Sequence, residues 1–112
     1  MKDYLLLFRV GPRFLTASPE ELQQIMLRSR DWIAGISRAG KLNGVVRLQR
    51  NGAVLTGPRK QRTDGPYTNG NEIINGYLGI KAGSLEEAVA IARESPVFDY
   101  EGMMEVREVA TN

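Results

Sequence analysis

Glu72-Ile73-Ile74-Asn75-Gly76-Tyr77-Leu78-Gly79-Ile80-Lys81-Ala82-Gly83-Ser84-Leu85-Glu86-Glu87-Ala88-Val89 changes its hydrophobic period partway along, and that change decides the fold. Up to Ala82 the pattern reads as a strand, with Ile74, Leu78 and Ile80 on one face and Ile73, Asn75 and Tyr77 on the other. Ser84-Leu85-Glu86-Glu87 then opens a helix: the Ser84 hydroxyl can accept the third helical N–H, and Glu87 can reach back to cap. Leu85, Ala88, Val89 and Ala92 form its apolar stripe, and Pro96 ends it. A strand feeding directly into a capped helix is one half of a split β-α-β unit.

The same signature occurs earlier. Tyr4 to Val10 reads as a buried strand that Gly11-Pro12 breaks, and Ser18-Pro19-Glu20-Glu21 is a second capping box with proline at the first helical position. Leu22, Ile25, Met26, Ser29, Ile33 and Ile36 follow at helical spacing, and Gly40 supplies the left-handed residue that closes the helix. Between the halves, Val45 to Leu55 reads as a hairpin around Asn51-Gly52, a favoured two-residue turn. Gly57-Pro58 interrupts, Arg59 to Thr63 is polar and extended, and Asp64-Gly65-Pro66 reads as a tight turn. A last strand, Met103 to Val109, follows Gly102. The order β-α-β(β)-β-α-β predicts one α+β domain over residues 1–112. It is ferredoxin-like, an antiparallel sheet with two helices on one face and an extra hairpin in the middle. Two helices cover only one face, so the other must meet water, a ligand or a second subunit, and a dimer pressed sheet to sheet is the natural solution.

Composition narrows the chemistry. The chain has neither cysteine nor histidine. Thiolate nucleophiles, disulfides and the commonest transition-metal ligands are therefore missing, and no metal or cofactor is expected. Any catalysis falls to Asp, Glu, Lys, Tyr or Arg. The apolar run at the N-terminus is too short to span a membrane and lacks a small-residue cleavage site, so a cytoplasmic protein without a membrane partner is expected. Between Lys41 and Gly70 six basic residues (Lys41, Arg47, Arg50, Arg59, Lys60, Arg62) stand against one acid, Asp64, whereas the remainder carries nine basic residues and twelve acids. That segment is either a solvated basic loop or a surface that faces an anion.

Thr63-Asp64-Gly65-Pro66-Tyr67, then Glu72, then Gly76-Tyr77-Leu78 resemble the signature of the YCII-related (DGPF) family. Ser18-Pro19-Glu20-Glu21, Trp32, Gly40-Lys41-Leu42, Ser84-Leu85-Glu86-Glu87-Ala88, Pro96 and Glu105-Val106-Arg107 extend the likeness over nearly the whole chain. The resemblance implies a homodimer of the dimeric α/β-barrel kind, with a site in a cleft between the sheet and the motif loop. Most relatives have no assigned reaction; some are thought to be enzymes of the muconolactone type, and related domains occur beside sigma factors. The sequence departs from the pattern at Tyr67, where the family has Phe, and at Asn69 and Asn71, where the DGPF branch carries an acid and a lysine. The His–Asp pair proposed as catalytic in the YCII branch cannot exist in a chain without histidine.

Asp64 is the leading catalytic candidate: a lone acid among basic groups, on a turn whose fixed backbone could aim it. Its alternative role is that of a turn former whose carboxylate accepts backbone N–H groups. Arg59 and Arg62 could hold a carboxylate or phosphate through forked contacts. Gly65, Pro66, Tyr67, Glu72 and Tyr77 complete the candidate ligand-binding set, with packing as the alternative role of both tyrosines. Trp32 reads as core or dimer contact. Two functions are expected to compete: a homodimer with a small-anion binding or enzymatic cleft near the Asp-Gly-Pro turn, and a non-catalytic, transcription-linked interaction module. Nucleic acid ranks last among the partners, because no recognised binding motif accompanies the basic segment.

Overall fold

The structure, a computed structural model, describes residues 1–111. Strand β1 (Lys2–Val10) leads through a short helix α1 (Pro12–Leu15) into the long helix α2 (Pro19–Arg38) and strand β2 (Leu42–Arg47). Strands β3 (Ala53–Thr56) and β4 (Gln61–Asp64) precede the central strand β5 (Ile73–Ala82), helix α3 (Leu85–Arg93), a 3-10 turn (Pro96–Tyr100) and β6 (Met103–Glu108). Four strands form one sheet in the order β2-β5-β1-β6, every neighbouring pair antiparallel, while β3 and β4 pair only with each other. The fold is α+β and ferredoxin-like, with the helices packed on one face of the sheet.

Helix α2 begins and ends as the sequence predicts. Ser18 accepts the Glu21 N–H, Glu21 accepts the Ser18 N–H, and Pro19 takes the first position. At the far end Gly40 has φ +73, and the N–H groups of Lys41 and Gly40 donate to the carbonyls of Ile36 and Ser37, a Schellman motif. Helix α3 departs from its pattern. Ser84 accepts the Glu87 N–H, but the Glu87 carboxylate bonds the Gly83 N–H at 3.2 Å and Lys41 Nζ at 2.5 Å instead of closing the box. That pair ties the entry of β2 to the first turn of α3.

These bonds make the fold acid-sensitive. The Lys41 ammonium, and behind it the Gly83 N–H, hold the Glu87 carboxyl below the usual carboxylate range. Arg13, and then the Ser18 N–H, do the same for Glu21. A depressed folded-state pKa contributes stability that is present above the unfolded pKa, about 4.3 for glutamate, and is lost as pH falls through and below that value. Urea midpoints should therefore decline below about pH 5, and Glu87→Gln should lie under wild type at neutral pH and converge with it in acid. Parallel curves for the two proteins would remove Glu87 from the account.

The core lies between the sheet and the two long helices. Tyr4, Leu6, Leu78, Ile80 and Ala82 from the sheet meet Ile36, Ala88 and Ala92 from the helices, with Phe8, Trp32, Ile33, Leu42 and Ile91 packed around them. Trp32 stacks edge-to-face on Phe8, with ring centroids 6.4 Å apart, and donates its indole N–H to the Ile91 carbonyl at 3.0 Å. A smaller cluster of Val10, Ile73 and Val97 closes one end against Phe14, Leu15 and Met104.

The structure corrects four details of the sequence reading. The hairpin does not turn at Asn51-Gly52. β2 pairs with β5, and β3 pairs with β4 around Gly57-Pro58-Arg59-Lys60, closed by a Lys60 N–H to Gly57 carbonyl bond. Asn-Gly is a local preference, and it yields to the ladder that β2 makes along the central strand β5. Ile74 leaves the face of Leu78 and Ile80, because a bulge between the Phe8–Gly76 and Arg9–Ile74 pairs shifts the parity and turns Ile73 inward. Met26 and Leu85 are exposed, and Trp32 and Ile91 occupy the stripes where these were expected.

Leu5, Leu7, Val46 and Tyr77 lie on the opposite face of the sheet, where the register sets Leu7 and Val46 beside Tyr77 and Leu5 beside Gly79. Neither long helix covers that face. Among the described residues no helix is long and apolar enough to cross a membrane.

Candidate functional site

The Asp-Gly-Pro turn sits at the base of a projecting arm. A Leu48 N–H to Asn75 carbonyl bond extends the β2–β5 ladder by one step, after which the chain leaves the sheet. The Gly65 N–H donates to the Gly52 carbonyl at 2.8 Å and closes the arm at its root. At the tip Pro58 holds the second turn position, which its ring presets, and Gly57 and Lys60 adopt φ +73 and +56. Asn51-Gly52 thus serves the root of the arm and Gly57-Pro58 its tip.

Register places Ala53, Leu55, Arg62 and Asp64 on one face of the arm and Val54, Thr56, Gln61 and Thr63 on the other. Asp64 accepts a hydrogen bond from Arg62 Nε at 2.9 Å, and its side chain is 84% exposed. It accepts no backbone N–H among the described residues, so the Asx-turn geometry is not formed. The turn is made by Gly65, whose φ of +93 suits glycine. Arg59 and Lys60 at the tip have no acidic partner within ion-pair distance among the described residues.

The other candidates lie apart from Asp64. Pro66 and Tyr67 begin the return to the sheet, and Tyr67 is 68% exposed. Asn69 and Glu72 exchange backbone hydrogen bonds across Gly70-Asn71, a tight turn with Gly70 at φ +65. Glu72 therefore reaches a shallow cleft of about 210 Å³ lined by Gly11, Pro12, Arg13, Asn71, Tyr100 and Glu101. Tyr77 lies on the open sheet face beside Leu7. Of the predicted set, the structure joins Arg62 with Asp64 and leaves Glu72 and Tyr77 in separate places.

Sequence reasoning missed the partners of Glu72. The Arg13 guanidinium lies 4.7 Å above the Tyr100 ring and bonds Glu21 at 2.8 Å, which raises its pKa and fixes its direction. Gly11-Pro12 was legible only as a strand breaker, and neither Arg13 nor Tyr100 carried a signal of its own. With Arg13 neutralised by Glu21, the two carboxylates Glu72 and Glu101 dominate this cleft, and it disfavours an anion. The arm has the opposite character: Arg59, Lys60 and Arg62 against Asp64. Arg9, also missed, has a shielded Nη1 without a hydrogen-bond partner among the described residues, on the strand position facing Met103 and Ile74.

Comparison with known proteins agrees with the motif reading. No curated protein matches the chain. A family model described as the YCII-related domain matches residues 4–111, which takes in the three helices, the arm and the sheet from Tyr4 onward. With that coverage, the chain belongs to the YCII-related domain family.

Proposed function

We propose that the protein is a homodimer that binds a small organic anion, a carboxylate or phosphate, beside the Asp64-Gly65-Pro66 turn. The observation that supports this reading is the unpaired charge of Arg59 and Lys60 at the tip of the arm whose β4 strand carries the Arg62–Asp64 pair, within a segment, residues 41–70, whose one acid is Asp64. Guanidinium forks recognise planar or tetrahedral oxyanions bidentately, and Asp64 fixes the direction in which Arg62 presents its remaining donors. Where the bound anion carries an acidic proton, Asp64 is the group placed to accept it.

The test is the thermal midpoint against a panel of carboxylate and phosphate metabolites. A ligand at a hundred times its dissociation constant stabilises the fold by about 2.7 kcal/mol, a rise of about 10 °C or more for a domain of this size. The expected result is a shift in wild type that Arg62→Ala and Asp64→Asn both lose. A shift that survives both substitutions puts the site elsewhere. Silence across the panel favours the non-catalytic, transcription-linked interaction module, for which partner capture through the arm is the readout.

A further inference from the structure

The arm carries cations that nothing within the chain answers. β3 and β4 pair only with each other, and from Gln49 to Pro66 only Val54 and Gly65 fall short of full exposure. Arg47 and Arg50 stand at the root and Arg59 and Lys60 at the tip, all exposed. None of these has an acid within ion-pair distance among the described residues. A lone two-stranded hairpin is marginal in water, and clustered like charges weaken it further by repelling one another. A polyanion laid along the arm relieves that repulsion.

The two faces of the arm differ. Ala53, Leu55, Arg62 and Asp64 share one, where the only acid of residues 41–70 already holds Arg62. The other presents Thr56, Gln61 and Thr63, exposed and uncharged side chains that both donate and accept hydrogen bonds, with Val54 beside them. A row of hydroxyls and an amide, free of carboxylate and flanked at both ends by cations, suits a nucleic-acid duplex: phosphates for the cations, base edges for the row between. The dimensions agree. Paired strands lie about 4.8 Å apart, and the major groove of B-form DNA, about 12 Å wide, admits a two-stranded ribbon. The major groove of A-form RNA is too deep and narrow to be read this way. The tip, Gly57-Pro58-Arg59-Lys60, has no large apolar side chain to enter a bilayer. Outside residues 41–70 the chain carries nine basic residues and twelve acids, so an acidic body turns the arm toward a polyanion. The Gly65–Gly52 and Lys60–Gly57 backbone bonds present the ribbon already formed, which spares ordering on binding.

We propose that the β3–β4 arm binds duplex DNA in the major groove. Its Thr56–Gln61–Thr63 face meets base edges, and Arg47, Arg50, Arg59 and Lys60 hold the flanking phosphates. No sequence motif announces it, because the ribbon exists only once Ala53–Thr56 has paired with Gln61–Asp64. This goes beyond the small-anion reading, which uses the opposite Arg62–Asp64 face and has only the two tip cations in common with it.

The test is fluorescence anisotropy of the full chain on a labelled DNA duplex about two helical turns long. Four phosphate contacts give log affinity a slope of about −3.6 on log salt for each arm engaged, a loss of about 100-fold between about 50 and 200 mM salt. Arg59→Ala combined with Lys60→Asn should halve the slope and weaken binding more than ~10-fold at low salt; asparagine tolerates the φ of +56 at that position. Its far-UV circular dichroism should match wild type, since neither residue belongs to a core cluster. Arg30→Ala combined with Arg93→Ala removes the same charge from exposed helix surface and should bind as wild type does. Thr56→Glu and Leu55→Glu place one carboxylate at neighbouring positions on opposite faces, and only the first should abolish binding. Failure of wild type to bind at low salt, equal losses within either of these two comparisons, or equally tight binding of an RNA duplex or of poly-glutamate each overturns the inference. Asp64→Asn separates the two readings, because it should remove a metabolite-induced shift and leave DNA binding intact. DNA binding with silence across the metabolite panel defeats the small-anion reading alone, and a metabolite shift without DNA binding defeats this one alone.

Discussion

Gly79→Ala is expected to cost about 3 kcal/mol or more, at or beyond the upper end of ordinary overpacking, and to lower the thermal midpoint by roughly 12–24 °C. The reason is a backbone contact. A Cβ on Gly79 would stand 2.1 Å from the Asn43 carbonyl oxygen, and no side-chain rotation can relieve that overlap. β2 crosses so closely because it carries its own bulge: Leu42 pairs with Ile80 and Val45 with Leu78, and Gly44 absorbs the extra residue at φ +103. Alanine would have to lift β2 off the central strand, breaking the ladder from which the arm departs. Gly35→Ala is the control, because its added Cβ meets only the far end of Arg38, at 3.9 Å, and alanine favours the helix. Chemical denaturation of both variants checks the account, and equal midpoints for the two would refute it.

Trp32→Ala is expected to lose about 3 kcal/mol or more, as large aromatic truncations do. The indole joins three elements: its ring meets Phe8 on β1, its backbone belongs to α2, and its N–H caps the Ile91 carbonyl of α3. Trp32→Phe separates these roles. It keeps most of the ring packing but removes one of the two hydrogen bonds to the Ile91 carbonyl, which still accepts the Glu94 N–H at 3.3 Å, so it costs about 0.5–1.5 kcal/mol. The decisive measurement is the difference between the two variants in urea, followed by circular dichroism because the only tryptophan is gone. If phenylalanine were as damaging as alanine, the hydrogen bond would outweigh the packing.

Those two residues also show what the sequence made legible. The helix ends were readable because capping is local: Ser18, Glu21 and Gly40 act within a few residues of themselves. The ferredoxin-like arrangement followed from the alternation of strands and helices, because few ways of burying two helical stripes on one sheet exist. The hairpin was misplaced because two turn signals lay close together, and the deciding partner of β2 was far away in β5. The bulge that turned Ile73 inward depends on the ladder between β1 and β5, and no single strand encodes it. For the site, the basic stretch and Asp64 were visible as charge. The cleft of Glu72, Arg13 and Tyr100 was not, because its members come from three distant segments with no shared period.

The bond between Gly65 and Gly52 at the root of the arm bears on the order in which the chain folds. Before β2 can meet β5, the segment from Leu48 to Asn75 must close on itself, and that closure costs chain entropy. A hairpin forms within microseconds, ahead of long-range sheet pairing. Once it has formed, it short-circuits about half of the segment, and halving a loop spares only about 0.6 kcal/mol. That saving is too small for the arm to be kept as a folding aid. The sheet can assemble almost as readily around a short connection there, so closure of the loop between β2 and β5 does not account for the arm.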